Sequence, residues 1–221
     1  MLFVESRKEN ISAPTPRRII RNTPTEVRIA RGFDELLMVY SIRAAVYMAE
    51  QDCPFAEEFD GNDLCATQFI ALSGDEPAGC LRARFFAGFV KLERLAIRKP
   101  YRRSTIAFDL VRFGIDHARR KGFQRIYGHA REGLEPFWAR FGGKPIPGRE
   151  EFVFSDHRYT EMVADFEPLS EAITLADPPM KILRPEGDWD REGILESSAA
   201  RPARLASSKS VKTGRRLETA A

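Results

Sequence analysis

No stretch of the sequence approaches the roughly 18 uninterrupted apolar residues that a membrane-crossing helix needs. The most apolar window, residues 79–92, is broken by Arg82, Arg84 and Lys91. The opening Met1-Leu2-Phe3-Val4-Glu5 holds too short an apolar run, with a glutamate inside it, to read as a secretory signal. Cysteine is scarce. The three residues Cys53, Cys65 and Cys80 are odd in number and have no metal-ligand spacing, which argues against a disulfide scaffold and fits reduced thiols in a cytoplasmic protein. Cys65 and Cys80 fall in apolar, strand-like runs, where inert packing is expected rather than nucleophilic chemistry. The three histidines, His117, His129 and His157, lie too far apart to make a metal site. No internal repeat is present.

The excess of positive charge is confined to one end. From Ser198 onward there are six of the 35 basic residues but one of the 32 acidic ones, Glu218, leaving 29 basic against 31 acidic in the rest. The net charge of +3 therefore belongs to a tail and does not point to a nucleic-acid partner for the folded part. Residues 1–23 read as a flexible arm and 198–221, Ser/Ala/Arg/Lys-rich without aromatics, as a disordered basic tail. Residues 24–168 form the domain proper.

Within it the elements alternate. Apolar residues at helical spacing predict a helix over 33–49, followed by the acidic loop Glu57-Glu58-Phe59-Asp60-Gly61-Asn62-Asp63. Strands are predicted at 25–30, 66–73, 78–87 and 90–98, separated by tight-turn sequences. Ser104 is a good N-cap for a helix running to Lys121 and closed by Gly122. A strand at 125–130, a short helix at 132–141 and a hairpin of 151–155 with 159–166 complete the set. The class is α/β (α+β), a mixed sheet that is neither doubly wound nor all-β.

The chemically informative segment is Lys91 to Leu110. A strand ends near Pro100, a basic loop turns, and a helix starts on small residues. The first N–H groups of such a helix lack internal partners and carry the positive end of its dipole, so they bind phosphate through backbone. Arg102 and Arg103 would add charge-assisted contacts. A solvated surface explains the same residues.

The run Leu95-Ala96-Ile97-Arg98-Lys99-Pro100-Tyr101-Arg102-Arg103-Ser104-Thr105-Ile106-Ala107 resembles the coenzyme A signature of the GNAT acyltransferase superfamily. Leu134-Glu135-Pro136-Phe137-Trp138-Ala139-Arg140-Phe141-Gly142-Gly143 resembles the late helix of that family, in the right order. The resemblance implies a mostly antiparallel sheet of six to seven strands flanked by about four helices. It also implies an acetyl-CoA or longer acyl-CoA donor without a metal, and direct attack by an amine. Leu95, Ala96, Ile97, Arg102, Arg103, Ser104, Thr105, Ile106, Ala107 and Trp138 would hold the coenzyme.

Two departures bear on mechanism. Thr105 stands where the signature has its first glycine. Trp138 stands where many members carry the tyrosine that protonates the departing thiolate, so that task passes to Tyr127 or His129. Glu93 is the candidate base, with pairing to Lys91 or Arg84 as its alternative; a structural hydrogen bond is the alternative for His129.

A weaker resemblance links Glu58-Phe59-Asp60, Asp63, Arg84 and Glu93-Arg94 to acyl-homoserine-lactone synthases. It implies an acceptor pocket in which Asp60, Asp63 and Arg84 meet the substrate, the alternative for the acidic loop being a solvated surface. An acyl carrier protein would then dock on Arg98, Lys99, Arg102 and Arg103. The remaining alternative is a non-catalytic acyl-CoA-binding module. Beyond the domain, Trp189 in residues 169–197 is expected to pack on the domain or on a second copy of the chain in a homodimer.

Overall fold

The computed structural model describes residues 24–204, so the expectation for 1–23 and, from residue 205 on, that for the 198–221 tail lie outside the described residues; Ser198 and Ala199 of that tail end a short helix. Segments rich in β-branched and aromatic residues pair into one sheet. Its strands are β1 (Thr25–Ile29), β2 (Thr67–Ser73), β3 (Glu76–Phe86), β4 (Phe89–Ile97), β5 (Arg125–Arg131), β6 (Lys144–Pro145), β7 (Phe152–Phe154) and β8 (His157–Asp165). The order is β1-β2-β3-β4-β5-β8-β6, with β7 also paired to β8. Every pairing is antiparallel except β4 with β5. Six to seven strands were expected and eight are found. The extra one, β6, is two residues long and too short to show alternation in sequence.

Helix α1 (Phe33–Arg43) runs through a π-helical turn, Ala44–Met48, into α2 (Ala49–Gln51). The short α3 (Phe55–Glu58) and a 3-10 turn, Asp63–Cys65, lead to the sheet. A second 3-10 turn, Lys99–Tyr101, precedes α4 (Ile106–Arg120), and α5 (Glu135–Ala139), α6 (Pro179–Leu183) and α7 (Glu196–Ala199) follow. Cys65 is exposed on its 3-10 turn, not packed in a strand; Cys80 alone of the two is buried, and burial pushes its thiol up to about 12.

The sheet carries a core on each face. Ile106, Leu110, Val111, Ile115 and Ala118 of α4 pack on Phe69, Leu81 and Leu92. Gly114 lets that helix approach, because a β-carbon there would lie 2.8 Å from Leu81 Cδ2. On the other face Val39, Ile42 and Val46 cover Ile70, Leu72, Cys80 and Ala96.

One irregularity decides what β4 can do. Cys80 pairs with Ala96 but Arg82 with Glu93, so Arg94 and Leu95 together oppose Leu81. Arg94 takes a left-handed φ of 56° to make this β-bulge. An unbroken strand would put Leu92 and Ala96 on one face; the bulge puts Leu92 in the α4 core and Ala96 in the α1 core. Strand β4 meets β5 only through Val90↔Ile126 and Lys91↔Tyr127. Past that point no pairing joins them.

The chain after β8 returns to α4. Ile173 N–H donates to Arg120 O at 2.8 Å. Trp189 stacks on His117 with centroids 5.2 Å apart, and Asp188 pairs with Arg31 at 2.6 Å. Among the described residues no helix is long and apolar enough to cross a membrane.

Candidate active site

Where β4 and β5 part, a cleft of about 480 Å³ opens, walled by both strands, by the α2–α3 segment and by the β7–β8 hairpin. Its floor is charged, because Arg84, Lys91 and Glu93 project from the same face of β3 and β4. The bulge lies on this wall, and its extra residue falls outside the β3–β4 ladder pairing. Tyr47 O–H, partly buried, donates to Leu95 O at 2.8 Å and anchors that backbone.

Beneath the cleft lies a network of buried charge. Arg43 and Arg82 are both fully buried. Arg43 bonds Glu58 and Asp63; Arg82 bonds Asp60 at 2.7 Å, Asp63 at 2.9 Å and Glu93 at 2.8 Å. Arg84 and Lys91 also hold Glu93, at 2.7 and 2.8 Å. Burial pushes the Glu93 carboxyl up, but the Lys91 hydrogen bond and the charges of Arg82 and Arg84 outweigh it and hold Glu93 below the usual carboxylate range. Asp60 behaves alike: Arg82 overcomes its desolvation and keeps it ionised.

A second cluster faces the cleft from β5. Tyr127 O–H donates to Glu161 Oε1 at 2.5 Å, and the phenolic oxygen of Tyr127 lies 2.8 Å from His129 Nε2. A phenol has one proton, so with that proton donated in a hydrogen bond to Glu161 the His129 contact requires Nε2–H to donate, leaving Nδ1 as the basic nitrogen. Burial, assisted by Lys91, lowers His129 to about 4, so the ring is neutral near pH 7. Burial and the Glu161 carboxylate raise Tyr127, which stays protonated.

The helix start has its own geometry. Helix α4 begins at Ile106, with Ser104 Oγ accepting Ile106 N–H at 3.3 Å. The cap position is Thr105, one residue later than predicted. Its φ of −80° and ψ of −6° are right-handed helical, a conformation open to any residue, so the missing glycine brings no backbone strain. Its hydroxyl donates to Asp109 Oδ2 at 2.7 Å. Among the described residues the N–H groups of Arg103, Thr105, Ala107 and Phe108 meet no acceptor.

The structure thus brings Glu93, Arg84, Asp60, Leu95, His129 and Trp138 to one cleft. Tyr127 stands behind His129. Asp63 lies below, bonded by Arg43, Arg82 and Gln68. Ala96 and Ile106 have buried side chains, and Ile97 is partly buried in the α4 core, so these three can offer backbone only. Arg102 turns back onto Ile97 O and Glu50, whereas Arg103 is exposed with no partner among the described residues. Sequence reading missed Arg82, Glu161, Arg131, Phe152 and Tyr159. Strand alternation in Tyr127-x-His129-x-Arg131 could have found one of them; the β5–β8 register that sets Glu161 opposite His129 could not be read.

Comparison with known proteins decides the family. Residues 36–142 match the acetyltransferase (GNAT) family. The chain belongs to that family. An uncharacterized N-acetyltransferase, YjcF of Bacillus subtilis (strain 168), is 24% identical over 137 residues, which is 62% of this chain and 97% of that protein. The uncharacterized protein YyaT of the same organism is 30% identical over 104 residues, 46% of this chain and 70% of that one. An acyl-CoA N-acyltransferase from Pseudomonas aeruginosa shares the fold with a TM-score of 0.58 at 21% identity, covering 64% of this chain and 98% of that chain. A GNAT family acetyltransferase from Elizabethkingia anophelis with acetyl-CoA bound superposes with a TM-score of 0.51 at 9% identity, over 64% of this chain and 98% of that one.

GNAT membership makes the chain an acetyltransferase, of a family that uses acetyl-CoA. Among the described residues no group of His, Cys, Asp or Glu could hold a metal ion.

Proposed function

We propose that this GNAT domain moves an acetyl or longer acyl group from an acyl-coenzyme A to the amine of a small molecule by direct attack. One observation carries the reading: a single cleft has the bulged backbone of β4 on one side and neutral His129 on the other. The pyrophosphate would sit on the free N–H groups at the start of α4, beside Arg103. The bound acetyl-CoA of the Elizabethkingia anophelis neighbour supports the choice of donor.

The amine nitrogen attacks the thioester carbonyl carbon, forming the C–N bond while the carbonyl becomes an oxyanion. A backbone N–H at the bulge stabilises that oxyanion. Its collapse breaks the C–S bond, and the proton lost by nitrogen passes to His129 Nδ1. The departing thiolate recovers a proton, which leaves free coenzyme thiol and an amide. His129 suits the proton transfer better than Glu93, because three cations already occupy the Glu93 carboxylate. Tyr127 and Glu161 fix the imidazole tautomer. Glu93 and Asp60 contribute negative charge beside the incoming amine.

A carrier-protein donor would need a free basic patch. Two of the four residues of that patch are already engaged, Arg98 by Pro77 O and Glu76 and Arg102 by Ile97 O and Glu50, which favours coenzyme A. Thermal-shift titration with acetyl-CoA and longer acyl-CoA tests donor binding, and thiol release across an amine panel tests transfer. Stabilisation with amine-dependent thiol release is the expected result. Binding without release would instead indicate a non-catalytic acyl-CoA-binding module.

A further inference from the structure

The cations that line the cleft are not equivalent. Arg84 and Lys91 spend their charge on Glu93, and Arg94 lies 3.1 Å from Glu58 and 3.4 Å from Asp60. Arg131 differs. Among the described residues it meets no carboxylate; its Nη1 reaches only Gln51 Oε1 at 3.3 Å and His157 Nε2 at 3.5 Å. A guanidinium carries five N–H donors in a rigid fork that matches a carboxylate, so this half-buried one is under-used.

A second unmatched group lines the same cleft. Glu57 Oε2 is buried and has no hydrogen-bond partner among the described residues. An unmatched guanidinium and an unmatched carboxylate oxygen on one cleft complement a ligand that carries both an anionic and an amino group. Arg131 and His129 share a face of β5, two residues and therefore about 6.6 Å apart along the strand. That short span suits an amine next to its own carboxylate. Phe152 packs 4.8 Å from the His129 ring and stacks on Tyr159, which adds an apolar wall.

We propose that Arg131 is the specificity-determining residue of the acceptor site. It takes the α-carboxylate of a free amino acid with an apolar side chain, whose amino group is presented between Glu57 and His129. The inference rests on the reading of the chain as an amine acyltransferase.

The test uses acetyl-CoA with L-phenylalanine, L-phenylalaninamide and phenethylamine, followed by thiol release. Wild type should favour phenylalanine in kcat/KM by about tenfold or more over the other two. Arg131→Met should erase that preference by raising KM for phenylalanine about 10- to 100-fold, with Arg131→Lys recovering part of it. Melting temperatures of the variants show whether they are folded, and if neither folds the wild-type panel decides alone. Equal or better use of the two carboxylate-free amines, an unchanged preference in a folded Arg131→Met, or turnover of none of the three by a protein that acetyl-CoA stabilises would each overturn the assignment. Absence of any acetyl-CoA stabilisation would instead remove the acyltransferase reading beneath it.

Discussion

The phenolic oxygen of Tyr127 lies 2.8 Å from His129 Nε2 and 2.5 Å from Glu161 Oε1, linking two strands through one proton. In the proposed mechanism that link sets which imidazole nitrogen is basic. Tyr127→Phe removes both bonds and should lower kcat about 10- to 100-fold with little change in KM for acyl-CoA. His129→Asn, which removes the base itself, should cost about 10²- to 10⁴-fold in steady-state thiol release.

His129 should titrate near about 4, far below an ordinary imidazole. Folding then disfavours its protonation, so the unfolded chain binds the extra proton more readily. Stability should fall as pH drops below the ordinary histidine value of roughly 6.5, and the loss should level off near 4. NMR of the imidazole resonances, assigned with His129→Asn, gives the value directly. An unshifted midpoint would contradict the burial argument.

Arg82→Met should destabilise the fold by about 3 kcal/mol or more, because Asp60, Asp63 and Glu93 lose a shared buried partner. Arg125→Met, which breaks an exposed pair with Asp165, should change urea unfolding little.

Much of this architecture could be read from residue order. Alternation located the main strands, and the helical spacing of α4 with its closing Gly122, at φ 86°, was visible in sequence. The GNAT resemblance was carried by residues 95–107 and 134–143 and needed no geometry. Three things were hidden. The bulge at Arg94 uses a left-handed residue that is not glycine, so nothing local announces it. The π turn at Ala44–Met48 breaks a helix whose spacing looks regular. The sharing of Asp60, Asp63 and Glu93 by Arg82 depends on a loop folding over β3, which residue order alone does not reveal.

The return segment offers a separate check. The 3.1 Å contact with His117 Nε2, then pairing with Lys121, draws the Glu186 carboxyl down to about 2. A depressed carboxylate contributes stability that is complete above its unfolded value, roughly 4.3, and is lost as pH falls toward about 2. In a Trp138→Phe background, Trp189 fluorescence should shift toward that of exposed indole across this window. Glu186→Gln should show the exposed signal already at neutral pH.

Calorimetric titration of acetyl-CoA into wild type and Ala107→Glu bears most directly on the proposed coenzyme site. Wild type should bind with micromolar affinity. A carboxylate placed among the free N–H groups at the start of α4 should weaken binding about tenfold or more. No heat with the wild-type protein, or equal affinity in the folded variant, would contradict a coenzyme A site at this helix.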